Sequence, residues 1–297
     1  MVTMERSRYT PEQFERQYNP RVAVPDHQAK IDARIAQSRE VRRRLPGTFD
    51  LRYGPGAKET LDVYPATAGS ATDPAPVQLY IHGGYWRAQD KADVAFIAEP
   101  LSQAGACAVI INYDLCPDVS LDEIVAETMR AIAWTHAHIG EYGGDPGRLF
   151  ISGNSAGAHL CAMALAHDWA ADGLPADIIK GAAPATGIYD VSPVLGISVN
   201  EQIRLRDDMV ERLSPLRHPP RRALPLLVSV GGAETEEWIR QSRDYVAMCR
   251  GQGIEADYLE LPGHDHFDMT GAMGEPGQPL LPAILRQMGL AAPEDDR

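Results

Sequence analysis

The chain of 297 residues, 44% of them hydrophobic, is long enough to bury a substantial core and reads as one domain. Its 41 acidic against 28 basic residues give a formal charge of −13, which disfavours a nucleic-acid surface because phosphate neutralisation needs concentrated positive charge. No run reaches the roughly 18 apolar residues of a membrane span. The polar start Met1–Gln17 does not resemble a secretory signal, so a cytoplasmic protein without membrane or nucleic-acid partners is expected.

In chain order, residues 9–45 carry two helical patterns, one opening at Thr10-Pro11-Glu12-Gln13 with an N-cap followed by proline, the other after Pro25-Asp26. They form an N-terminal helical extension over 1–45. Its basic end, Arg42-Arg43-Arg44, places cations where they oppose the helix dipole. Thr48–Tyr53 and Glu59–Tyr64 alternate apolar and polar residues around Gly54-Pro55-Gly56, as an antiparallel pair at a sheet edge does. Ala66–Pro76 is then a surface connection.

From Val77 onward short apolar runs alternate with longer helical ones, the signature of a parallel sheet covered on both faces. The predicted strands are Val77–Ile81, Ala108–Tyr113, Arg148–Ser152, Ile179–Pro184, Leu224–Val230 and Ala256–Leu261. Helices are predicted near 90–104, 121–140, 156–168, 235–252 and 278–288. The segment 185–223 interrupts the alternation and is expected to form a small cap over the strand ends. Cys107, Cys116, Cys161 and Cys249 are scattered without framework spacing and are expected to be buried free thiols.

The chemistry gathers at three strand ends. Gly153-Asn154-Ser155-Ala156-Gly157 puts a serine between a strand and a helix, the setting of a nucleophile elbow. Glycines at 153 and 157 allow the sharp turn to bring strand and helix together, although an isolated match is also compatible with an ordinary tight turn. His82-Gly83-Gly84-Tyr85-Trp86 follows the strand Val77–Ile81. There Gly83 and Gly84, with Ala156 beyond the serine, are candidate oxyanion donors; the plain alternative is a Gly-Gly turn.

After the last strand, Gly263-His264-Asp265-His266-Phe267-Asp268 supplies two histidine candidates for a general base, His264 and His266. The spacing His264-x-His266-x-Asp268 also suits a metal, but no second ligand cluster accompanies it, and no metal is expected. The acid belongs after Leu224–Val230, where Glu234, Glu236 and Glu237 all qualify. Glu234 lies nearest the strand end and is preferred; acidic residues in a helix's first turn also serve its dipole. Tyr85, Trp86, Tyr189 and Trp238 are candidates for an aromatic pocket wall, against the alternative of core packing. His159, one turn beyond Ser155, is read as a packing or hydrogen-bonding residue.

With HGGYW, GNSAG and GHDHFD in this order, the sequence resembles the kynurenine formamidase (arylformamidase) branch of the α/β-hydrolases, near the hormone-sensitive-lipase-like esterases. The segments Tyr113–Asp118, Thr186–Asp190 and Glu236–Ser242 extend the resemblance over most of the chain. It implies an α/β-hydrolase fold, selects Glu234 and His266 as partners of Ser155, and suggests an N-formyl arylamine such as N-formylkynurenine as substrate, with no cofactor. A homodimer is compatible with the family. One departure is glutamate at 234, where characterised members carry aspartate. Two competing readings are a carboxylesterase for small acyl or aryl esters, and a non-catalytic binding protein on the same scaffold.

Overall fold

The structure is a computed structural model that describes residues 8–68, 73–275 and 277–290, so part of the expected connection Ala66–Pro76 lies outside the described residues. The N-terminal arm begins with α1 (Pro11–Tyr18), where Thr10 and Gln13 close a capping box and Pro11 occupies the first turn. Asn19 caps the short α2 (Pro20–Ala23), and α3 (His27–Arg44) completes the extension.

Eight strands among the described residues form one sheet: β1 (Thr48–Arg52), β2 (Thr60–Tyr64), β3 (Ala75–Ile81), β4 (Cys107–Ile111), β5 (Gly144–Asn154), β6 (Ile179–Ala185), β7 (Leu226–Gly231) and β8 (Ala256–Leu261). Their order is β1-β2-β4-β3-β5-β6-β7-β8. β1 and β2 pair antiparallel with each other and β2 antiparallel with β4, while β3 to β8 run parallel. This is the predicted α/β-hydrolase arrangement, with the antiparallel pair at the edge.

Period-two alternation divides the core between the two faces of the sheet. Val77, Leu79 and Ile81 of β3 join Val109 and Ile111 of β4 in one cluster, whereas Tyr80, Ala108 and Ile110 belong to the other. On the faces lie α4 (Ala98–Gln103), α5 (Leu121–His138), α6 (Ala156–Ala166), α9 (Glu236–Gly251) and α11 (Leu280–Gln287); the short α7 (Asn200–Ile203), α8 (Asp207–Leu213) and α10 (Asp268–Ala272) sit between β6 and β7 and after β8. The stretch expected as one helix near 90–104 divides into a 3₁₀ turn over Lys91–Ile97 and then α4. Pro100 falls in the first turn of α4, where a missing N–H costs no intrahelical bond. All four cysteines are buried free thiols, as expected, and burial pushes Cys107 up to about 12.

The segment 185–223 carries α7, α8 and two 3₁₀ turns and packs beside the N-terminal arm. Ser198 donates its backbone N–H and its hydroxyl to the Glu15 carboxylate, at 2.8 and 2.6 Å. The arm is held to the sheet edge by charge as well. Asp62 on β2, fully buried, meets Arg42 of α3 and lies 3.2 Å from the buried Lys91 ammonium, while accepting the Asp50 N–H at 3.0 Å. Ser38 of the same helix donates to the Asp93 carbonyl at 2.8 Å.

Removing one member of a buried ionic cluster strands the others without compensation. Asp62→Ala is expected to lower unfolding free energy by about 3 kcal/mol, read as a fall in the urea midpoint at unchanged slope. A midpoint within experimental error of the wild type would show that the cluster contributes nothing net.

Candidate active site

The site begins with a backbone constraint. β5 ends at Asn154 and α6 starts at Ala156, leaving Ser155 alone to make the turn, at φ 54° and ψ −117°. A non-glycine residue there is strained, and the surroundings must hold it. They do so through backbone bonds: Ser155 N–H donates to the Ala185 carbonyl at 2.9 Å, and the Ser155 carbonyl accepts from His159 N–H at 3.1 Å. Glycine is required on both sides. A Cβ on Gly157 would stand 2.0 Å from the Ile81 carbonyl oxygen, and one on Gly153 would stand 2.7 Å from the same oxygen.

The loop after β3 curls over this elbow. Gly84 has φ +105°, and a Cβ there would lie 2.1 Å from the Ala88 carbonyl oxygen. Tyr85 and Trp86 also hold positive φ, at 54° and 55°. Gly84 and Tyr85 line a cleft shared with Ser155, and a Cβ on Gly83 would stand 2.9 Å from Asn154 Nδ2. His82 is buried beneath, stacked on Tyr113 at 4.3 Å, with its Nδ1 2.8 Å from the Gly83 carbonyl. Burial pushes its imidazole down to about 4, so it is neutral and donates Nδ1–H to that carbonyl. Ala156 opens α6, whose first N–H groups have no intrahelical acceptor.

His266, just after β8, lines the same cleft as Ser155. Its Nδ1 is 2.6 Å from Glu234 Oε2, and the Glu234 side chain is wholly buried. The other carboxylate oxygen of Glu234 accepts the Gly231 N–H at 2.9 Å and the Thr186 hydroxyl. Thr186 Oγ1 is also 3.3 Å from His266 Nδ1, so one threonine touches both members of the pair. Trp238 covers the imidazole, with ring centroids 4.3 Å apart. The extra methylene of glutamate is therefore taken up by folding the side chain back onto the backbone of Gly231.

The competing candidates face elsewhere. Glu236 is exposed and pairs with Arg8 at 3.0 Å. Glu237 is buried and accepts from Tyr9 at 2.9 Å and Tyr18 at 2.8 Å, with Arg240 at 2.7 Å. Burial would push its carboxyl up, but hydrogen bonds from Tyr18 and Arg240 outweigh that and hold it below its ordinary value. His264 turns outward to Gln278 at 3.0 Å, and Asp268 bonds Lys30 at 2.8 Å. The side chains of the His-x-His-x-Asp run thus diverge rather than converge on a metal. His159 is a buried neutral histidine, pushed down to about 4 by burial, with Nε2 2.8 Å from the Leu213 carbonyl.

Of the aromatic residues expected to wall the pocket, Tyr85 lines the cleft and donates its hydroxyl to the Tyr18 carbonyl at 2.8 Å. Trp86 and Tyr189 do not fulfil that expectation. Both are fully buried: Trp86 packs edge-on against His159 at 4.8 Å, and Tyr189 stacks on Tyr245 at 4.2 Å. Large aromatics at these strand ends went to the core, which gains more from their area than a partly wet pocket would.

Several cleft residues had no sequence signal of their own. Asn154 donates to Thr270 at 2.9 Å and accepts from Tyr80 at 2.8 Å, and both Asn154 and Thr270 line the cleft. Asn19, Pro20 and Arg21 of the N-terminal arm also line it. The cleft is narrow, with a cavity volume of about 40 Å³. Among the described residues no helix is long and apolar enough to cross a membrane.

Comparison with known proteins places the chain among hydrolases. The BD-FAE family model matches residues 61–173. A kynurenine formamidase of Salmo salar is 31% identical over 94% of this chain and 96% of its own, and one of Danio rerio is 30% identical over 92% of each. Esterase LipQ of Mycobacterium tuberculosis is 31% identical over 78% of this chain and 60% of its own. Among solved structures, a Silicibacter protein superposes with TM-score 0.78 at 24% identity, covering 91% of this chain and 97% of its own. Esterase LipW of Mycobacterium marinum gives 0.68 at 18% identity, covering 92% and 90%. A full-length match at this identity, on this fold, shows that the chain is a hydrolase belonging to the kynurenine formamidase family of the α/β-hydrolases.

Proposed function

We propose that this hydrolase cleaves the formamide bond of an N-formyl arylamine, with N-formylkynurenine as the representative substrate, using Ser155, His266 and Glu234. The observation that carries the reading is the 2.6 Å contact between His266 Nδ1 and the buried Glu234 carboxylate, made in the cleft where Ser155 is held on its strained turn. The carboxylate fixes the imidazole with Nδ1–H toward Glu234, which leaves Nε2 unprotonated and able to accept the serine proton.

Ser155 Oγ attacks the formyl carbon as His266 Nε2 takes its proton. The carbonyl π electrons move onto oxygen, where N–H groups of Gly83, Gly84 and Ala156 receive the charge; one such donor is typically worth about 3 kcal/mol. Collapse breaks the C–N bond, and His266 returns the proton to the departing arylamine. Water, deprotonated by His266, then attacks the formyl-enzyme, and release of formate restores Ser155. No cofactor enters this sequence.

An esterase reading uses the same groups, and relatives such as LipQ favour it. A panel pairing N-formylkynurenine with short p-nitrophenyl esters separates the two. Formamide kcat/KM at or above the ester value is expected, and negligible formamide turnover beside efficient ester cleavage would overturn the substrate assignment. In the same panel Ser155→Ala is expected to lose at least about 10³-fold in kcat on every substrate. Retained turnover would remove Ser155 from the mechanism.

Thr186 acts through its contacts rather than on substrate, and so is a positioning residue. Thr186→Val removes the hydroxyl that donates to Glu234 and is expected to lower kcat by about fivefold, the worth of one hydrogen bond near 1 kcal/mol, with KM little changed. Thr186→Ser restores the rate. A Val variant with wild-type kcat, or a loss that serine fails to restore, would contradict that role.

A further inference from the structure

The cleft that holds Ser155 and His266 also carries an electrostatic feature that hydrolysis of a formamide or ester bond does not itself require. Arg87, just beyond the Gly84-Tyr85 turn, and Arg21, from the N-terminal arm, both line it. Most guanidinium groups tied into this fold are matched to acids: Arg42 with Asp62, Arg130 with Glu59, Arg212 with Asp122, Arg240 with Glu237. Among the described residues Arg21 and Arg87 have no carboxylate within ion-pair distance. In a chain with 41 acidic residues, two arginines without a carboxylate partner thus line the same cleft.

The details make Arg87 the stronger of the two. One of its terminal nitrogens donates to Gln202 Oε1, which fixes the side chain, while its Nε is buried without a partner. Burial and the nearby Arg21 charge both act against its protonated form, so the pair is held in mutual repulsion. The Glu15 charge favours protonated Arg87, but Glu15 makes no ion pair with it; its oxygens accept from Asn19 at 2.7 Å and from Ser198. In the same wall Gln89, held at φ 75°, presents a buried amide oxygen that has no donor. Apart from His266, the other lining groups, among them Asn19, Tyr85, Asn154 and Thr270, carry no formal charge. The wall therefore offers concentrated positive charge and an open acceptor, and an anion between the two guanidiniums would satisfy the first.

We propose that Arg87, assisted by Arg21, binds a carboxylate on the leaving-group side of the substrate and makes this hydrolase selective for anionic arylamine or aryl substrates over neutral ones of the same shape. A guanidinium suits this task because its planar donors match a carboxylate's two oxygens. The formyl group is too small to carry the charge, so on a formamide the carboxylate sits on the amine portion, as it does in N-formylkynurenine. Gln89 accepts an N–H from the same end of the molecule. This inference rests on the reading of Ser155 as the nucleophile but concerns a different part of the cleft.

The test is a matched pair of substrates in two chemistries. The first pair is 3-(2-formamidophenyl)propanoate and its carboxamide; the second is 3-(4-acetoxyphenyl)propanoate and its carboxamide. Wild-type kcat/KM is expected to favour the carboxylate by about tenfold or more in whichever chemistry the enzyme performs, the scale of a charge-assisted hydrogen bond. Arg87→Gln is expected to collapse that ratio to near one, chiefly through KM, Arg87→Lys to restore part of it, and Arg21→Gln to lower it less. Absence of wild-type discrimination, or an Arg87→Gln variant that slows both members of a pair equally, would overturn the proposal while leaving the nucleophile assignment intact. Failure of the nucleophile assignment would show separately, as turnover that survives Ser155→Ala.

Discussion

Everything at the site depends on one strained residue. Ser155 can occupy φ 54° only because β5, α6 and the end of β3 approach closely enough to clamp it, and that approach is possible only with glycine at 153 and 157. The Ile81 carbonyl lies where a side chain on either glycine would stand, so the strand carrying the His82–Trp86 loop is registered against the serine by backbone contact alone. Strain of this kind persists where surrounding structure over-determines it. The parallel sheet provides that surplus, with β3 and β5 paired from Val77 and Leu149 through Ile81 and Gly153.

The second dependency runs from the acid to the N-terminal arm. Glu234 is fixed by Gly231, Thr186 and His266, and α9 begins two residues later. The first turn of α9 is also where the arm docks: Glu237 gathers Tyr9, Tyr18 and Arg240, and Thr235 donates to the Gln17 carbonyl at 2.6 Å. The arm that ends in this contact continues directly into Asn19–Arg21, which line the cleft. Glu234, Glu236 and Glu237 look alike in the sequence, yet the first faces the histidine, the second pairs with Arg8 at the surface and the third holds the arm through Tyr9 and Tyr18.

Much of this was legible in the sequence, for physical reasons. The eight strands announced themselves through short apolar runs with turn residues between them; all formed, and β5 runs from Gly144 to Asn154, well beyond the expected Arg148–Ser152. The elbow was legible because its geometry demands glycines at fixed offsets. Glu234 was preferred for its place beside the strand end, and the structure puts its carboxylate on His266. What escaped were residues whose placement depends on distant segments meeting. Thr186 opens a segment that carries the resemblance but no catalytic role, and only the adjacency of β6 and β7 brings it to the acid. The segment 185–223 reads as a cap because it interrupts the alternation, while nothing in the arm's own sequence announces that Asn19–Arg21 also line the cleft. Trp86 and Tyr189 were read as pocket residues by type, and packing decided otherwise.

The central claim is that Ser155 is an activated nucleophile held by His266 and Glu234, and covalent trapping tests it most directly. Treatment of the intact protein with a fluorophosphonate, followed by peptide mass spectrometry, is predicted to show one phosphonyl group per chain on the peptide containing Ser155. The reaction is predicted to be strongly slowed in His266→Ala. An unmodified Ser155, a phosphonyl group on another residue, or labelling at an unchanged rate without His266 would contradict the account.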